Sequence, residues 1–339
     1  MKKTLITGIS GQDGAYLAKL LLKDGHHVVG GLRRGAERSL WRLNHLNIHE
    51  SVEIIDFELT EISEIHNIVK KYKFDYIYNL AAMSFVGTSF NQPISTANTN
   101  YIGVLNILES IKMNDLQTKF YQASTSEMFG KVVEMPQKET TPFYPRSPYG
   151  VSKLAAHEAT KNYRESYNMF ACSGILFNHE SPLRGREFVT QKIVLGLAAI
   201  ANGQSSLIKL GNLEAKRDWG HASDYVKAMK LIIENVKPED YVVASGSLNS
   251  VRDFVNMAAS FFNISIEWKG INEDEVGIDT NTGKKIIEVS KEFFRPAEVE
   301  ILLGDSSKIE KELKWKREFT FENLVEDMCN NATNFGKIN

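Results

Sequence analysis

The sequence predicts an α/β fold, a doubly wound parallel sheet with a smaller C-terminal substrate-binding lobe. Three observations lead there. Short β-branched runs alternate with helix-like stretches through the first half of the chain. A glycine-punctuated turn, Gly8-Ile9-Ser10-Gly11-Gln12-Asp13-Gly14, separates the first such run from the first amphipathic helix. The alternation then breaks down after about Phe177, where a loop of Ser181-Pro182-Leu183-Arg184-Gly185-Arg186 begins.

Taken in order, the strand candidates are residues 4–7, 27–32, 52–57, 76–80, 119–123 and 170–176. Helical segments such as 15–23 and 62–72 lie between them, with apolar residues repeating at three and four. A further helix is expected over 190–202, and the run 241–244 reads as a strand returning to the sheet. The polar stretch 272–285 reads as a loop. The chain of 339 residues thus divides into 1–176 with a return segment around 217–246, and a second lobe from 177–216 and 247–339.

Composition narrows the function classes. Forty Lys and Arg against 42 Asp and Glu leave a formal net charge of −2, without the basic excess of a nucleic-acid or anionic-membrane binder. Cys172 and Cys329 have neither disulfide-framework nor metal-cluster spacing, which suits a reducing cytoplasm, and no metal is expected. Gly8 breaks the N-terminal apolar run too early for a signal peptide, and no stretch is long enough to span a bilayer.

The turn carries chemistry. Glycines at 8, 11 and 14 permit a tight turn, close approach of backbone to a pyrophosphate, and close helix–strand packing. With Gln12 and Asp13 they open a helix whose N-terminus favours anions. The second strand ends in Leu32-Arg33-Arg34, with no acidic residue placed for a ribose 2′-hydroxyl, so the expected cofactor is NADP rather than NAD. A solvated basic loop is the alternative reading of the two arginines.

Tyr149-Gly150-Val151-Ser152-Lys153 puts a phenol and an ammonium four residues apart, on one helical face. The ammonium stabilises a phenolate and makes Tyr149 a candidate base. Upstream, a strand runs into Ser124-Thr125-Ser126-Glu127, at the carboxyl end where a parallel sheet presents reactive groups. Thr125 can donate to a substrate oxygen, and Glu127 is the carboxylate in this segment that can serve as acid or base.

Longer motifs carry a resemblance. Thr125-Ser126-Glu127, the segment from Gln137 through Tyr149, the segment from Gly174 through Pro182, and Lys216-Arg217-Asp218-Trp219-Gly220-His221 resemble the GDP-mannose 4,6-dehydratase family of extended short-chain dehydrogenases/reductases, from Lys3 to about Met328. The resemblance implies a Rossmann-type domain and conversion of GDP-mannose to GDP-4-keto-6-deoxymannose and water, through a hydride passed from C4 to C6 by bound NADP. It implies catalytic roles for Thr125, Glu127, Tyr149 and Lys153. Glu58, Leu59, Leu80, Ala81, Ala82, Ser84, Lys153, His179 and Arg184 would join the glycine turn, Arg33 and Arg34 around the cofactor. Ser84, Ser126, Asn178, Lys192, Arg217, Arg252 and Glu275 would contact the GDP-sugar. Lys192 and Arg252 read equally as solvated helix residues, and His179 as a satisfied structural histidine.

The pattern departs from the family in places. Ala82-Met83-Ser84-Phe85 replaces a more usual Ala-Gln-Ser-His beside the sugar, and Leu183 stands where the family often has an Arg. The segment 35–42 differs from a Ser-rich loop that assists tetramer formation. The expected assembly is a homodimer or homotetramer. Alternatives are a dehydratase, epimerase or reductase for another GDP-sugar, and a non-catalytic NADP-binding regulator.

Overall fold

The computed structural model describes residues 1–35, 40–114, 117–293 and 301–335. Strands β1 (Lys3–Thr7), β2 (His27–Leu32), β3 (Glu53–Asp56), β4 (Tyr76–Asn79), β5 (Lys119–Thr125) and β6 (Ala171–Leu176) follow one another through the first half. Between them run α1 (Gln12–Lys23), α2 (Trp41–His45), α3 (Ile62–Tyr72), α4 (Val86–Asn91), α5 (Pro93–Ala97), α6 (Gly103–Met113) and α7 (Pro148–Tyr167). The six expected strands and the 62–72 helix are all present.

The second half runs through β7 (Asn178–Glu180), α8 (Val189–Ala201), β8 (Ile208–Leu210), β9 (Lys216–His221), α9 (Ala222–Glu234) and β10 (Asp240–Val243). It continues with β11 (Leu248–Ser250), α10 (Val251–Phe261), β12 (Ile266–Lys269), β13 (Val276–Asp279) and β14 (Lys285–Val289). Last come β15 (Ile301–Leu302), α11 (Ser307–Leu313) and α12 (Phe321–Phe335).

Seven strands form one parallel sheet in the order β10-β6-β5-β4-β1-β2-β3. The order reverses between β1 and β4, which opens a crevice at their carboxyl ends. Both faces of the sheet are apolar because both are covered by helices. Leu5 and Val29 face a core shared with Ile65, Val69, Ile107 and Ala156, while Ile6 and Val28 face the core of Leu17, Leu21, Met229 and Ile232. Alternate residues of each strand therefore serve opposite layers. The run at 241–244 does return to the sheet, as β10 beside β6.

β9 lies instead in a small sheet with β7, β11 and β15, and the chain rejoins the main layers through α9, which packs on α1. A further sheet, β12-β13-β14-β8, adjoins a separate core of Ile193, Leu197, Phe254, Leu324 and Met328. Here one expectation fails. The stretch 272–285 is not a loop throughout: it holds a 3₁₀ turn, Asn272–Asp274, and strand β13. Two of its acids, Glu275 and Asp279, hid the strand because they are buried with partners. Glu275 is ion-paired to Arg252 at 2.8 Å, and Asp279 accepts from Asn281 N at 3.0 Å and Thr282 Oγ1 at 2.7 Å.

Residues 36–39 of the 35–42 segment lie outside the described residues. Among the described residues no helix is long and apolar enough to cross a membrane.

Candidate active site

The glycine turn sits at the switch point. Gly8 has φ +70°, and a side-chain carbon there would fall 2.8 Å from Ala81 N, so only glycine lets the ends of β1 and β4 approach this closely. Gly11 caps α1 with no side-chain acceptor on the first-turn amides. A carbon on Gly11 would meet only Gly8 O, at 3.2 Å, and would otherwise fill the mouth of the cradle. Unblocked amides at the start of a three-turn helix fit the pyrophosphate of a dinucleotide. Behind them Thr7 Oγ1 donates to Asn79 Oδ1 (2.7 Å) and receives Leu80 N and Ala81 N (both 3.1 Å). Asn79 in turn donates to Gln122 on β5 (2.8 Å), so side chains lace three strand ends together.

Arg33 and Arg34 follow β2 directly and are exposed. Sequence reading found no acid at this strand end, but the neighbouring β3 supplies one: Asp56 lies in register with Leu32 and 3.5 Å from Arg34. Glu58 is half-buried, and Leu59 is buried against Gly103.

Asp13 and His179, placed separately by sequence, form one unit. His179 Nε2 is 2.8 Å from Asp13 Oδ2, its Nδ1 is 2.7 Å from Phe177 O, and its ring stacks on Tyr225 at 4.4 Å. Both ring nitrogens thus face acceptors, which favours the imidazolium. Burial opposes that charge, but Asp13 prevails: the His179 pKa rises above its usual value. Burial raises the Asp13 pKa, but the charge and hydrogen bond of His179, with Arg184 and Gln12, together bring it below its usual value. Gln12 extends the unit, donating to His179 O (3.1 Å) and accepting from Ser181 Oγ (2.7 Å). Arg184 pairs with Glu180 at 3.0 Å and covers the Phe188 ring.

Arg42 was missed by sequence reading. Its guanidinium donates to Ser10 O in the glycine turn (2.9 Å) and to Leu183 O (2.6 Å), a bond spanning 141 residues that no local pattern announces. Leu183 itself is fully buried.

Thr125, Glu127 and Tyr149 meet where β5 ends and α7 begins, and Lys153 lies one turn further along α7. Ser147 caps α7 through Gly150 N at 3.0 Å, with Pro148 in the first turn, so Tyr149 sits at the helix start. A side-chain carbon on Gly150 would lie 2.8 Å from Glu127 O; its absence lets the Ser126–Met128 turn press against the helix. Glu127 N donates to Thr125 Oγ1 (3.3 Å), and Thr125 is hydrogen-bonded to the Tyr149 phenol. Burial pushes the Tyr149 pKa up to about 12, against the lowering effect of Thr125. Lys153, only 4% exposed, is pushed down to about 8 by burial. Asn100 was also missed: it bridges Met83 (N to Oδ1, 2.8 Å) and Ser152 Oγ (3.2 Å), tying the loop that carries Ala82 and Ser84 to α7.

Of the GDP-sugar candidates, Ser126 is buried beside Glu127 and Ser84 is exposed. Asn178 opens β7, half-buried. Arg217 is buried on β9, donating to Lys216 O at 2.8 Å. Lys192 on α8 is half-buried over the Phe293 ring at 3.5 Å, where burial lowers its pKa. The structure brings Arg252 and Glu275 together in a two-pronged ion pair (2.8 and 2.9 Å), with Trp268 against the guanidinium. Neither Lys192 nor Arg252 is simply a solvated helix residue.

Comparison with known proteins places this geometry among relatives. A family model described as GDP-mannose 4,6 dehydratase matches residues 5–328. GDP-mannose 4,6 dehydratase of Cricetulus griseus is 48% identical over 335 residues, covering 96% of this chain and 90% of the relative. Among solved structures, dTDP-glucose 4,6-dehydratase of Bacillus anthracis in complex with NAD superposes with a TM-score of 0.81 at 19% identity, covering 98% of this chain and 97% of that one. RMD of Pseudomonas aeruginosa complexed with NADPH gives a TM-score of 0.77 at 19% identity, covering 98% and 100%.

Proposed function

The chain belongs to the GDP-mannose 4,6-dehydratase family, and from that membership we propose how its own residues carry out the reaction. It is a nucleotide-sugar 4,6-dehydratase that dehydrates GDP-mannose with a nicotinamide cofactor. The product is GDP-4-keto-6-deoxymannose. The observation that carries the residue assignment is the junction of β5 and α7, where Thr125 is bonded to Tyr149 and Glu127 sits in the adjoining turn.

Tyr149, as phenolate, takes the proton of the sugar C4 hydroxyl. Thr125 donates to the phenol oxygen and Lys153 supplies positive charge, both favouring the phenolate. A nicotinamide held beside these residues would supply the hydride chemistry, as acceptor for C4 and donor for C6. The C4 ketone makes C5–H acidic; Glu127 removes that proton and passes it to the departing C6 hydroxyl, which leaves as water, and when C6 is reduced the proton that Tyr149 took from O4 balances the one that C5 regains. A carboxylate can do both because it regains at C5 the proton that it gives at C6.

We assign the cofactor as NADP. The turn from Gly8 to Gly14, including Gly11, Gln12 and Asp13, would hold its pyrophosphate. Arg33 and Arg34 outnumber Asp56 at the β2 edge, which supports a 2′-phosphate there. Glu58, Leu59, Leu80, Ala81, Ala82 and Ser84 would line the adenosine and ribose, and Lys153, His179 and Arg184 the nicotinamide end. Ser84, Ser126, Asn178, Lys192, Arg217, Arg252 and Glu275 are assigned to GDP-mannose. In this division residues 1–176 with the segment around 217–246 bind the cofactor, and 177–216 with 247–339 bind the nucleotide sugar. Assembly as a homodimer or homotetramer is supported by apolar side chains exposed on α5, α6 and α7, including Ile94 (73%), Met113 (61%) and Val151 (56%). A cytoplasmic location is supported by two buried, unbridged cysteines, Cys172 and Cys329.

Isotope transfer tests the mechanism. GDP-mannose carrying deuterium at C4 should give product carrying it at C6, with no crossover into ¹³C-marked, unlabelled substrate. Deuterium lost to solvent, shared between molecules, or kept at C4 beside an intact C6 hydroxyl would overturn the assignment. Protein released by denaturation should yield NADP(H); recovery of mainly NAD(H) would overturn the reading of Arg33 and Arg34.

A further inference from the structure

The active-site helix carries a buried histidine that the mechanism above does not use. His157 lies four residues after Lys153 and eight after Tyr149, on the same broad face of α7. It is 4% exposed, and its Nδ1 is 3.0 Å from Ser124 Oγ. Ser124 immediately precedes Thr125 near the end of β5. Two side-chain bonds therefore join this strand end to α7 on either side of Lys153: Thr125 to Tyr149, and Ser124 to His157.

A cleft of about 280 Å³ opens beside His157, lined also by Glu139, Lys161, Arg164 and Asp240. One side of the imidazole meets the edge of Phe143 at 5.5 Å, while the cleft removes neighbouring atoms on another. A directional hydrogen bond sets the register of helix and strand more sharply than non-directional dispersion contacts do.

We propose that His157 is a positioning residue: through Ser124 it fixes the end of β5 against α7 and so sets the hydrogen bond between Thr125 and Tyr149. It touches neither substrate nor cofactor. The inference rests on the assignment of Tyr149 as the C4 base, and it gives Ser124 and His157 a joint purpose that neither has alone. Burial lowers the His157 pKa, so the ring that meets Ser124 is the neutral form.

The test uses the cofactor-loaded full chain. His157→Phe keeps the ring against Phe143 but loses the bond, Ser124→Ala removes the partner, and His157→Gln restores a polar group of similar reach. Each of the first two should lower kcat about tenfold, the worth of one well-placed hydrogen bond, with KM for GDP-mannose unchanged. The double variant should be no slower than either single one. The acid limb of the kcat–pH profile should move to higher pH, because Tyr149 loses a well-aimed donor; a purely structural role would leave that limb in place. His157→Gln should recover most of kcat. Wild-type kcat and pH profile in Ser124→Ala, which removes one oxygen and should fold even if His157→Phe does not, would overturn the proposal. So would additive losses in the double variant. If wild-type protein fails to dehydrate GDP-mannose at all, the fault lies with the functional assignment and not with His157.

Discussion

Lys153 offers a prediction in which stability and catalysis move in opposite directions. Its ammonium is buried, and burial lowers its pKa from 10.5 to about 8. At 1.36 kcal/mol per pH unit this corresponds to ~3 kcal/mol. In the unfolded chain the lysine keeps its proton up to pH 10.5, whereas in the fold it loses it near pH 8. Between those values the unfolded state holds more protons, so stability rises with pH through the window, and below it the whole cost is felt. Lys153→Met keeps the length of the side chain without the charge. For nucleotide-stripped protein it should raise the unfolding free energy by ~3 kcal/mol at pH 7, or about 4 °C in Tm for a chain of this size. The advantage should shrink above pH 8 and vanish near pH 10.5. Dehydration should meanwhile fall by about 10² or more, because the phenolate loses its nearby charge. Denaturant unfolding across this pH range, beside a turnover assay, reads both effects. A variant no more stable than wild type at pH 7, or equally favoured at every pH, would refute the argument that burial of charge lowers the Lys153 pKa.

Three further outcomes follow from the site. Glu127→Gln keeps the shape of the side chain but cannot accept the C5 proton, so solvent exchange at C5 and loss of water should drop together by about 10²–10⁴, while GDP-mannose binding measured by calorimetry stays near wild type. Thr125→Val removes the donor that opposes the burial of Tyr149, so the acid limb of the kcat–pH profile should shift upward, read from initial rates. Asp13→Asn breaks the pair with His179. That pair contributes fully above the unfolded carboxylate value of 3.8 and below the unfolded imidazole value of 6.5, and fades as pH rises through the raised His179 pKa. The variant should therefore lose about 3 kcal/mol near pH 5 and less at alkaline pH, measured by chemical unfolding.

The main sheet was legible because its strands are short, β-branched and separated by helices of clear period. The expected span 27–32 matches β2 residue for residue, and 62–72 matches α3. Such strands are buried on both faces, so continuous apolar runs suffice to find them. The second lobe gave less signal because its strands carry polar groups inward, as on β7 and β9, and so lack continuous apolar runs. β13 shows the cause most plainly. Its Glu275 neighbour and its own Asp279 are buried with partners, and inward-facing acids read as loop until the partners are known.

The same division runs through the site, and it has a physical origin. Groups assigned to the chemistry sit close together in sequence because one helix face and one strand end deliver them: Tyr149 with Lys153, Thr125 with Glu127. Groups that buttress the site come from far along the chain. His179 reaches Asp13 across 166 residues, Arg42 reaches Leu183 across 141, and Asn100 reaches Ser152 across 52. Helical spacing reveals the first kind, whereas only folding brings the second kind together. The consequence is that the motif alone misstates the chemistry: in water Lys153 would be a permanent cation and Tyr149 an ordinary phenol. Burial moves one to about 8 and the other to about 12, which leaves the phenol hard to ionise without help. Thr125 supplies part of that help. The strand end and the helix start therefore have to be held in register, since a phenol this reluctant to ionise gains nothing from a donor that is out of line.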